Sequence, residues 1–253
     1  MSLLVAFGFG SRGGEGVGDH DHNTAAKLDQ LADMRIQHDR GRIQAGEVYG
    51  LLLTQGPNAD LYAGLGNLFF DEDRPIQALF YFDLAQSLKP ENSVIKEDRN
   101  RVLQHLEHLE KKFETYNTEL LKGQDLSRFN SMATIKFHMG YHNEAFGILN
   151  NALSMFGEDQ RISSLVSTFK QGLDVQARVL AKLRGNYDQA LGAADYKKAL
   201  EYFGEMVFFS LGHPKVIPIL GDLQKAAPAL VNQESLELLK EFSLTYPDKE
   251  KED

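Results

Sequence analysis

Cysteine and tryptophan are absent from this chain of 253 residues. Without a thiolate there is no disulfide framework, no cysteine-ligated zinc or iron–sulfur centre and no cysteine nucleophile. No apolar run reaches the roughly 18 residues that a membrane-spanning helix requires, so no membrane insertion is expected. The apolar start from Leu3 to Phe9 lacks both the basic leader and the length of a signal-peptide core, and a cytoplasmic location follows as the expectation. An excess of positive charge is also missing. The 27 Lys and Arg face 36 Asp and Glu, a formal net charge of −9, which is the wrong sign for a nucleic-acid or anionic-membrane surface. What is present is a composition 42% apolar and 25% charged, enough to bury a core and to exclude disorder of the whole chain.

The apolar positions repeat. Ala45, Tyr49, Leu52 and Pro57 recur 33 residues later as Ala78, Phe82, Ala85 and Pro90, and 67 residues beyond those as Ala145, Leu149, Ala152 and Gly157. Spacings of four and then three place the first three members of each set on one helical face, and the Pro or Gly five residues on ends that helix. In the second unit, Tyr62, Leu65, Gly66 and Phe69 form another helical face. Asp71, Glu72 and Asp73 follow it, then a Pro75 suited to a first helical turn.

Tyr62, Leu65, Gly66, Phe69, Ala78, Phe82, Ala85 and Pro90 together resemble the eight signature positions of a tetratricopeptide repeat, a helix–turn–helix of about 34 residues. The segment from Asp195 to Phe203 resembles the second helix of such a repeat, although the Gly185–Asn186 pair before it is displaced by two residues from the family position. The resemblance implies an all-α fold, a superhelical solenoid of helix–turn–helix units near 25–57, 59–92 and 126–157. Two longer helices interrupt it. Residues 93–122 carry Ile95, Val102, Leu106, Leu109, Phe113, Tyr116 and Leu120 on a heptad-like seam, so 93–125 reads as one long helix or as a degenerate repeat without a glycine turn. A second seam, Ile162, Leu165, Phe169, Leu173, Gln176, Leu180 and Leu183, predicts another long helix packed near the first.

Over 158–246 this long helix should be followed by a degenerate hairpin at 184–212 and by helices near 215–227 and 233–245 that cap the stack. The six glycines between Gly8 and Gly18 predict a flexible leader over 1–23, and the charged residues 247–253 predict a frayed tail.

Candidate chemistry is sparse. Gly8-Phe9-Gly10-Ser11-Arg12-Gly13 matches a dinucleotide-binding pattern in letters, but no periodic helix follows and no parallel sheet is expected to hold it. His105 and His108 have the spacing of paired metal ligands on a helix without an evident third ligand, and His20 and His22 sit in the leader. No serine, histidine and acid arrangement has a strand-to-helix elbow around it. The chain is therefore expected to be no enzyme, with no cofactor and no metal.

A repeat stack instead presents a concave face that grips a peptide or partner helix. The resemblance places Lys27, Gln30, Met34, Gln37 and His38 on that face in the first unit, Asp60, Ala63, Asn67, Phe70 and Asp71 in the second, and Ser127, Asn130, Thr134, Phe137 and His138 in the third. Asn67 and Asn130 can hydrogen-bond a bound backbone in both directions, and Phe70 and Phe137 supply apolar anchors. Some relatives hold acidic C-termini in a clamp of asparagines and basic residues. Ala63 and Ser127 stand where that clamp needs positive charge, and the net negative chain favours a basic or amphipathic segment. The function implied is a scaffold or adaptor that binds another protein or peptide during assembly of a larger complex. The alternative is an export or secretion chaperone holding a client subunit, and the seams are compatible with a homo-oligomer.

Overall fold

The computed structural model describes residues 19–120, 123, 125–210 and 217–238, which are helical with no strand among them. In order, the helices are α1 (Asp19–His38), α2 (Arg40–Gln55), α3 (Ala59–Asp71), α4 (Pro75–Leu88), α5 (Ser93–Leu120), α6 (Leu126–His138), α7 (His142–Phe156), α8 (Gln160–Gly192), α9 (Tyr196–Phe209) and α10 (Ile217–Ala226). A short 3-10 turn at Pro228–Leu230 precedes a further helix, α11, that begins at 233.

Starts and stops follow local chemistry. Asp39, Asn58, Asp125, Asp159 and Asp195 each accept a backbone N–H of the helix they precede, satisfying donors that have no partner inside the helix. Pro75 opens α4, and Gly56 and Gly157 close α2 and α7 at φ of 93° and 76°.

Three helix pairs, α3–α4, α6–α7 and the C-terminal part of α8 with α9, turn in the same way. The pivots Asp73, Gly140 and Ala194 have φ of 59°, 88° and 58°. In each pair the next N–H reaches five residues back, Arg74 to Phe69, Tyr141 to Lys136 and Asp195 to Ala190, at 3.0, 2.9 and 2.9 Å. This is a left-handed pivot closing a helix end, used three times.

Apart from the helix-ending Pro57, Pro90 and Gly157, the recurring residues are interior. Ala45, Tyr49, Ala78, Phe82, Ala85, Ala145, Leu149 and Ala152 are fully buried. A methyl group on Gly66 would stand 2.9 Å from the Phe82 ring, so the glycine is what brings α3 against α4. Two apolar clusters result. The larger joins α2, α3, α4, the start of α5, the second half of α8, and α9; the smaller joins α6, α7 and the first half of α8 through Phe129, Leu149, Ile162 and Phe169. A helix of 33 residues is about 50 Å long at 1.5 Å per residue, so α8 spans both clusters. Residues 93–120 form one helix, α5. The two long helices do not lie chiefly on each other: α6 stands between them, with α5 against one side and α8 against another.

Three expectations are revised, and the C-terminal segment gains a definite partner. A single non-helical residue, Asp39, separates α1 from α2, too short a link to reverse the chain, so 25–57 is an elbow and not a hairpin. α1 runs along α8, where Arg178 meets Asp29 at 2.7 Å, and α2 pairs with α9. The first helix of the 184–212 hairpin is continuous with α8, because no proline or turn interrupts 160–192. The C-terminal segment caps α2: Asn232 N–H donates to the Leu53 carbonyl at 2.6 Å and the Ser235 hydroxyl to that of Leu52 at 2.7 Å. Finally, α1 starts at Asp19, within the segment read as a leader; residues 1–18, the tail 247–253 and 239–246 lie outside the described residues.

The α2–α9 pairing is unusually close. A methyl on Gly46 would lie 2.8 Å from the Glu201 carbonyl oxygen, and one on Gly204 3.0 Å from the Gly46 carbonyl oxygen. Across this crossing, Arg42 and Glu205 form an ion pair with both side chains buried. Burial holds the Arg42 guanidinium below its usual range, against the field of Asp39.

Two sets of variants test this packing. Ala78→Leu and Ala145→Leu are expected to overpack helix contacts and lower stability by roughly 1–3 kcal/mol each in denaturant titration; unchanged midpoints in both would refute the shared register. Gly204→Ala meets backbone, which cannot turn aside, and is expected to cost about 2 kcal/mol or more, against near-neutral Gly172→Ala, whose site is open.

Candidate functional site

The expected groove positions divide into those that the fold uses internally and those that remain available. In the second unit, Asn67 accepts a hydrogen bond from Arg101 of α5 at 3.3 Å. The Arg101 guanidinium lies 5.0 Å from the Phe70 ring centre, and the His105 ring stands edge-on to Phe70 at 5.6 Å. The long helix α5 thus covers the face of α3 that was expected to be free. Ala63 is half-buried against the larger cluster, Asp60 is exposed and pairs with Lys89 at 2.8 Å, and Asp71 is exposed.

In the third unit, Ser127 serves the α6 cap, its N–H and hydroxyl both donating to Asp125 at 2.9 Å. Phe137 stacks on Phe169 of α8 with ring centres 3.9 Å apart, inside the smaller cluster. His138 faces Asp73. Asn130 and Thr134 line an open space. Of the first-unit positions, Lys27, Gln30 and Met34 are exposed on α1, which packs along α8; the side chains of Gln37 and His38, and those of His20 and His22, lie outside the described residues, as does the segment Gly8–Gly13.

The open space is a cleft of about 720 Å³ walled by three helices. Lys112 comes from α5, Asn130, Ser131, Thr134 and Ile135 from α6, and Gln160, Arg161, Ser164, Leu165 and Thr168 from the first turns of α8. Positions 131, 134 and 135 share one face of α6, and 161, 164, 165 and 168 one face of α8, as three- and four-residue spacings require. The carbonyl oxygen of the Asn130 side chain is buried and has no hydrogen-bond partner among the described residues, a costly arrangement. The hydroxyls of Ser131, Thr134 and Thr168 donate along their own helices to the carbonyls of Ser127, Asn130 and Ser164 at 3.0, 2.8 and 2.9 Å. Their remaining lone pairs are acceptors. Beside these, the Lys112 ammonium lies 6.0 Å from the Tyr116 ring centre and belongs to no ion pair among the described residues.

Sequence reasoning located Asn130 and Thr134 but not the α5 and α8 walls. A faint signal exists in Ser164, Leu165 and Thr168, a polar-flanked face at helical spacing. Their meeting with α6 is a tertiary fact.

A second constellation lies at the α3–α4 turn. Asp73 Oδ2 is 3.4 Å from His138 Nδ1 and Asp73 Oδ1 is 3.5 Å from His105 Nε2, so one carboxylate links α5 and α6. The hydrogen bond from His138 is the main cause that holds the Asp73 carboxyl below its usual range, opposed by burial. Next to it, Arg74 donates to the Phe208 carbonyl at 2.6 Å and lies over the Phe69 and Phe208 rings at 4.8 and 5.1 Å. His142, tilted against Phe137 at 4.6 Å, is pushed down to about 4 by burial, with the Arg74 charge adding to the shift. His108 is exposed, and no three His, Asp or Glu side chains among the described residues are placed to share a metal ion.

A depressed histidine pKa means that the unfolded chain binds the proton more readily, so stability is complete above about pH 6.5 and falls as the pH drops towards 4. Between these values the native protein is expected to lose on the order of 2–3 kcal/mol relative to His142→Gln in urea titrations. Asp73 acts in a separate window: its contribution is lost only as the pH falls below the ordinary carboxylate value of 3.8. Parallel pH profiles for the native chain and the His142 variant would refute the assignment.

Comparison of the chain with protein-family models, with curated proteins and with solved structures returns no match.

Proposed function

We propose that this chain is a non-catalytic binding module of tetratricopeptide type, an adaptor that holds a segment of another protein during assembly of a larger complex. The repeating buried positions and the three like turns support the repeat reading. The observation that carries the functional reading is the α5–α6–α8 cleft, where the hydroxyls of Ser131, Thr134 and Thr168, with their protons held by their own helices, line one accessible space. Hydroxyl acceptors of this kind match the N–H groups of a peptide backbone. A cleft of this size is in the range of ligand sites, roughly 300–1,000 Å³. Its polar residues form one-sided acceptor and cation arrays, with no nucleophile paired to a base.

The acting surface in this reading differs from the groove inferred by resemblance. Asn130 and Thr134 are retained, while Asn67 and Phe70 become structural contacts between α3 and α5, Phe137 one between α6 and α8, and His138 one between α6 and the α3–α4 turn.

The test is affinity capture from lysate of the source organism, with the native chain and with Thr134→Phe/Ser164→Phe, which fills the cleft from two walls. Circular dichroism and melting check that the variant folds. At least one protein is expected to be retained by the native chain and depleted tenfold or more by the filled variant. Identical retention by both forms would overturn the reading.

A further inference from the structure

We propose that α1 is an exchangeable arm: two copies of this chain form a dimer in which each α1 lies on the α8 of the other copy, with Asp39 as the hinge. The inference does not depend on the reading of the cleft. Its starting point is how α1 is attached. Asp39 alone separates α1 from α2, and its side chain accepts the Arg42 N–H at 3.0 Å to cap α2. While α2 is fixed to α9, α1 packs chiefly along α8, where Asp29 and its partner Arg178 stand 149 residues apart in sequence. A distant segment, and not the chain neighbour, therefore seats α1. The contact is specific and light. Leu28 and Ala32, four residues apart, are buried, and Ala32 joins the cluster that holds Val179 and Leu183 of α8. Beside them Asp29 meets Arg178 at 2.7 Å and Asp33 meets Lys182 at 2.5 Å. Acids one turn apart on α1 face bases one turn apart on α8, so the two pairs fix the register. All four of these side chains are partly exposed, and ion pairs in such places add little to stability. The pairs select the position of the arm without holding it firmly.

The hinge has two accessible states. No proline lies between residues 19 and 55, so a helical Asp39 joins α1 and α2 into one continuous helix. The cap bond is lost, and the first N–H groups of α2 gain carbonyl partners from α1. In that state α1 points away from its own α8. Leu28, Ala32 and the α8 surface around Val179 are then bared to water, which is unfavourable. A second opened copy covers both, because every α1–α8 contact is remade between the chains. The closed monomer and the exchanged dimer thus share those contacts and differ at Asp39 and in mass action. Reciprocal exchange is closed under twofold symmetry and stops at two chains. The seam of α5 is a poorer interface for a second copy: Leu106, Leu109, Phe113 and Tyr116 are already half-buried on their own chain, and the Lys136 ammonium lies over the Phe113 ring at 4.8 Å. An exchanged dimer carries two copies of the cleft, one on each α8.

The experiment measures the mass of the full chain by sedimentation over a wide range of concentration, and a dimer in equilibrium with monomer is expected. Proline is tolerated in the first turn of α2 but denies the residue before it a helical backbone, so Arg40→Pro is expected to remove the dimer with the circular dichroism unchanged. Asp39→Ala removes the cap and favours the continuous helix, and is expected to lower the dimer dissociation constant several-fold. Charge reversal reads the exchange directly. Asp29→Lys/Asp33→Lys and Arg178→Glu/Lys182→Glu each bring like charges together at the α1–α8 contact, and each alone is expected to dimerise at least tenfold more weakly. Incubated together they are expected to form a heterodimer, because each arm then meets opposite charges on the other chain. All four substitutions in one chain are expected to restore native behaviour. Because the chain has no cysteine, a mixture of Asp33→Cys and Lys182→Cys treated with a short bis-maleimide gives a second reading without charge reversal. Covalent pairs of chains are expected in excess over those from either variant alone. A native chain that stays monomeric at every concentration, a dimer indifferent to Arg40→Pro, or mixtures that yield neither heterodimer nor excess cross-linked pairs would overturn the proposal.

Discussion

The close crossing of α2 and α9 is the contact on which the rest of the arrangement depends. Gly46 and Gly204 let two backbones approach to a distance that a single added methyl would prevent. At that distance the Arg42–Glu205 pair is sealed from water. A buried ion pair is weak evidence for stability, since desolvation opposes the Coulomb attraction, but it strongly penalises any register in which the two charges fail to meet. The glycines permit the approach and the charges fix its alignment. Because α2 is committed to α9, it cannot fold back on α1, and α1 is left to run along α8. The same commitment brings the C-terminal residues Asn232 and Ser235 onto the end of α2. Elements from the two ends of the sequence thus share one cluster, in which Tyr49 and Tyr81 meet hydroxyl to hydroxyl at 2.5 Å. Burial raises both of these phenols, and Tyr62 beside them is pushed up to about 12, chiefly by burial.

The smaller cluster is attached to this body by the long helices and by the α3–α4 turn. Asp73 adopts a left-handed conformation that side chains seldom take, and the strain is offset by what the turn then reaches. Its carboxylate meets His105 and His138, and the adjacent Arg74 meets the last turn of α9. At the equivalent pivots stand Gly140, which adopts the conformation freely, and Ala194, which makes no such long-range pair in its favour. A turn repeated for one steric reason has therefore acquired, in one copy, a second role as a junction between α5, α6 and α9.

This geometry places the cleft. α5 leaves the larger cluster after Val102 and extends past α6, while α8 begins in the smaller cluster at Ile162 and Phe169. Their diverging ends, with α6 between, leave polar faces directed at a common space. The residues that hold the walls in place, Phe137 against Phe169 and His138 against Asp73, are among those that family resemblance puts on a binding surface. Covering by α5 turns the inner face of α3 from a binding surface into packing.

Most helices, the turns within 59–92 and 126–157 and the buried register were legible in the sequence, because each depends on neighbours within a few residues. The four-and-three spacing of Ala78, Phe82 and Ala85 defines a face, an Asp or Asn before a helix caps it, and the absence of glycine and proline through 93–120 permits one continuous helix. Asn130 and Thr134 were reached only through the family resemblance, which puts them on an inner face. The partner chosen by each face was decided by tertiary structure alone. Nothing local distinguishes an α2 that packs on α1 from one that packs on α9; that choice rests on Gly46 and Gly204, 158 residues apart, admitting a crossing that only they allow. Nor does local spacing reveal that Lys112, Asn130 and Thr168 face one another across three helices. Periodicity sets which side of a helix is buried; shape and charge complementarity between distant segments set what buries it.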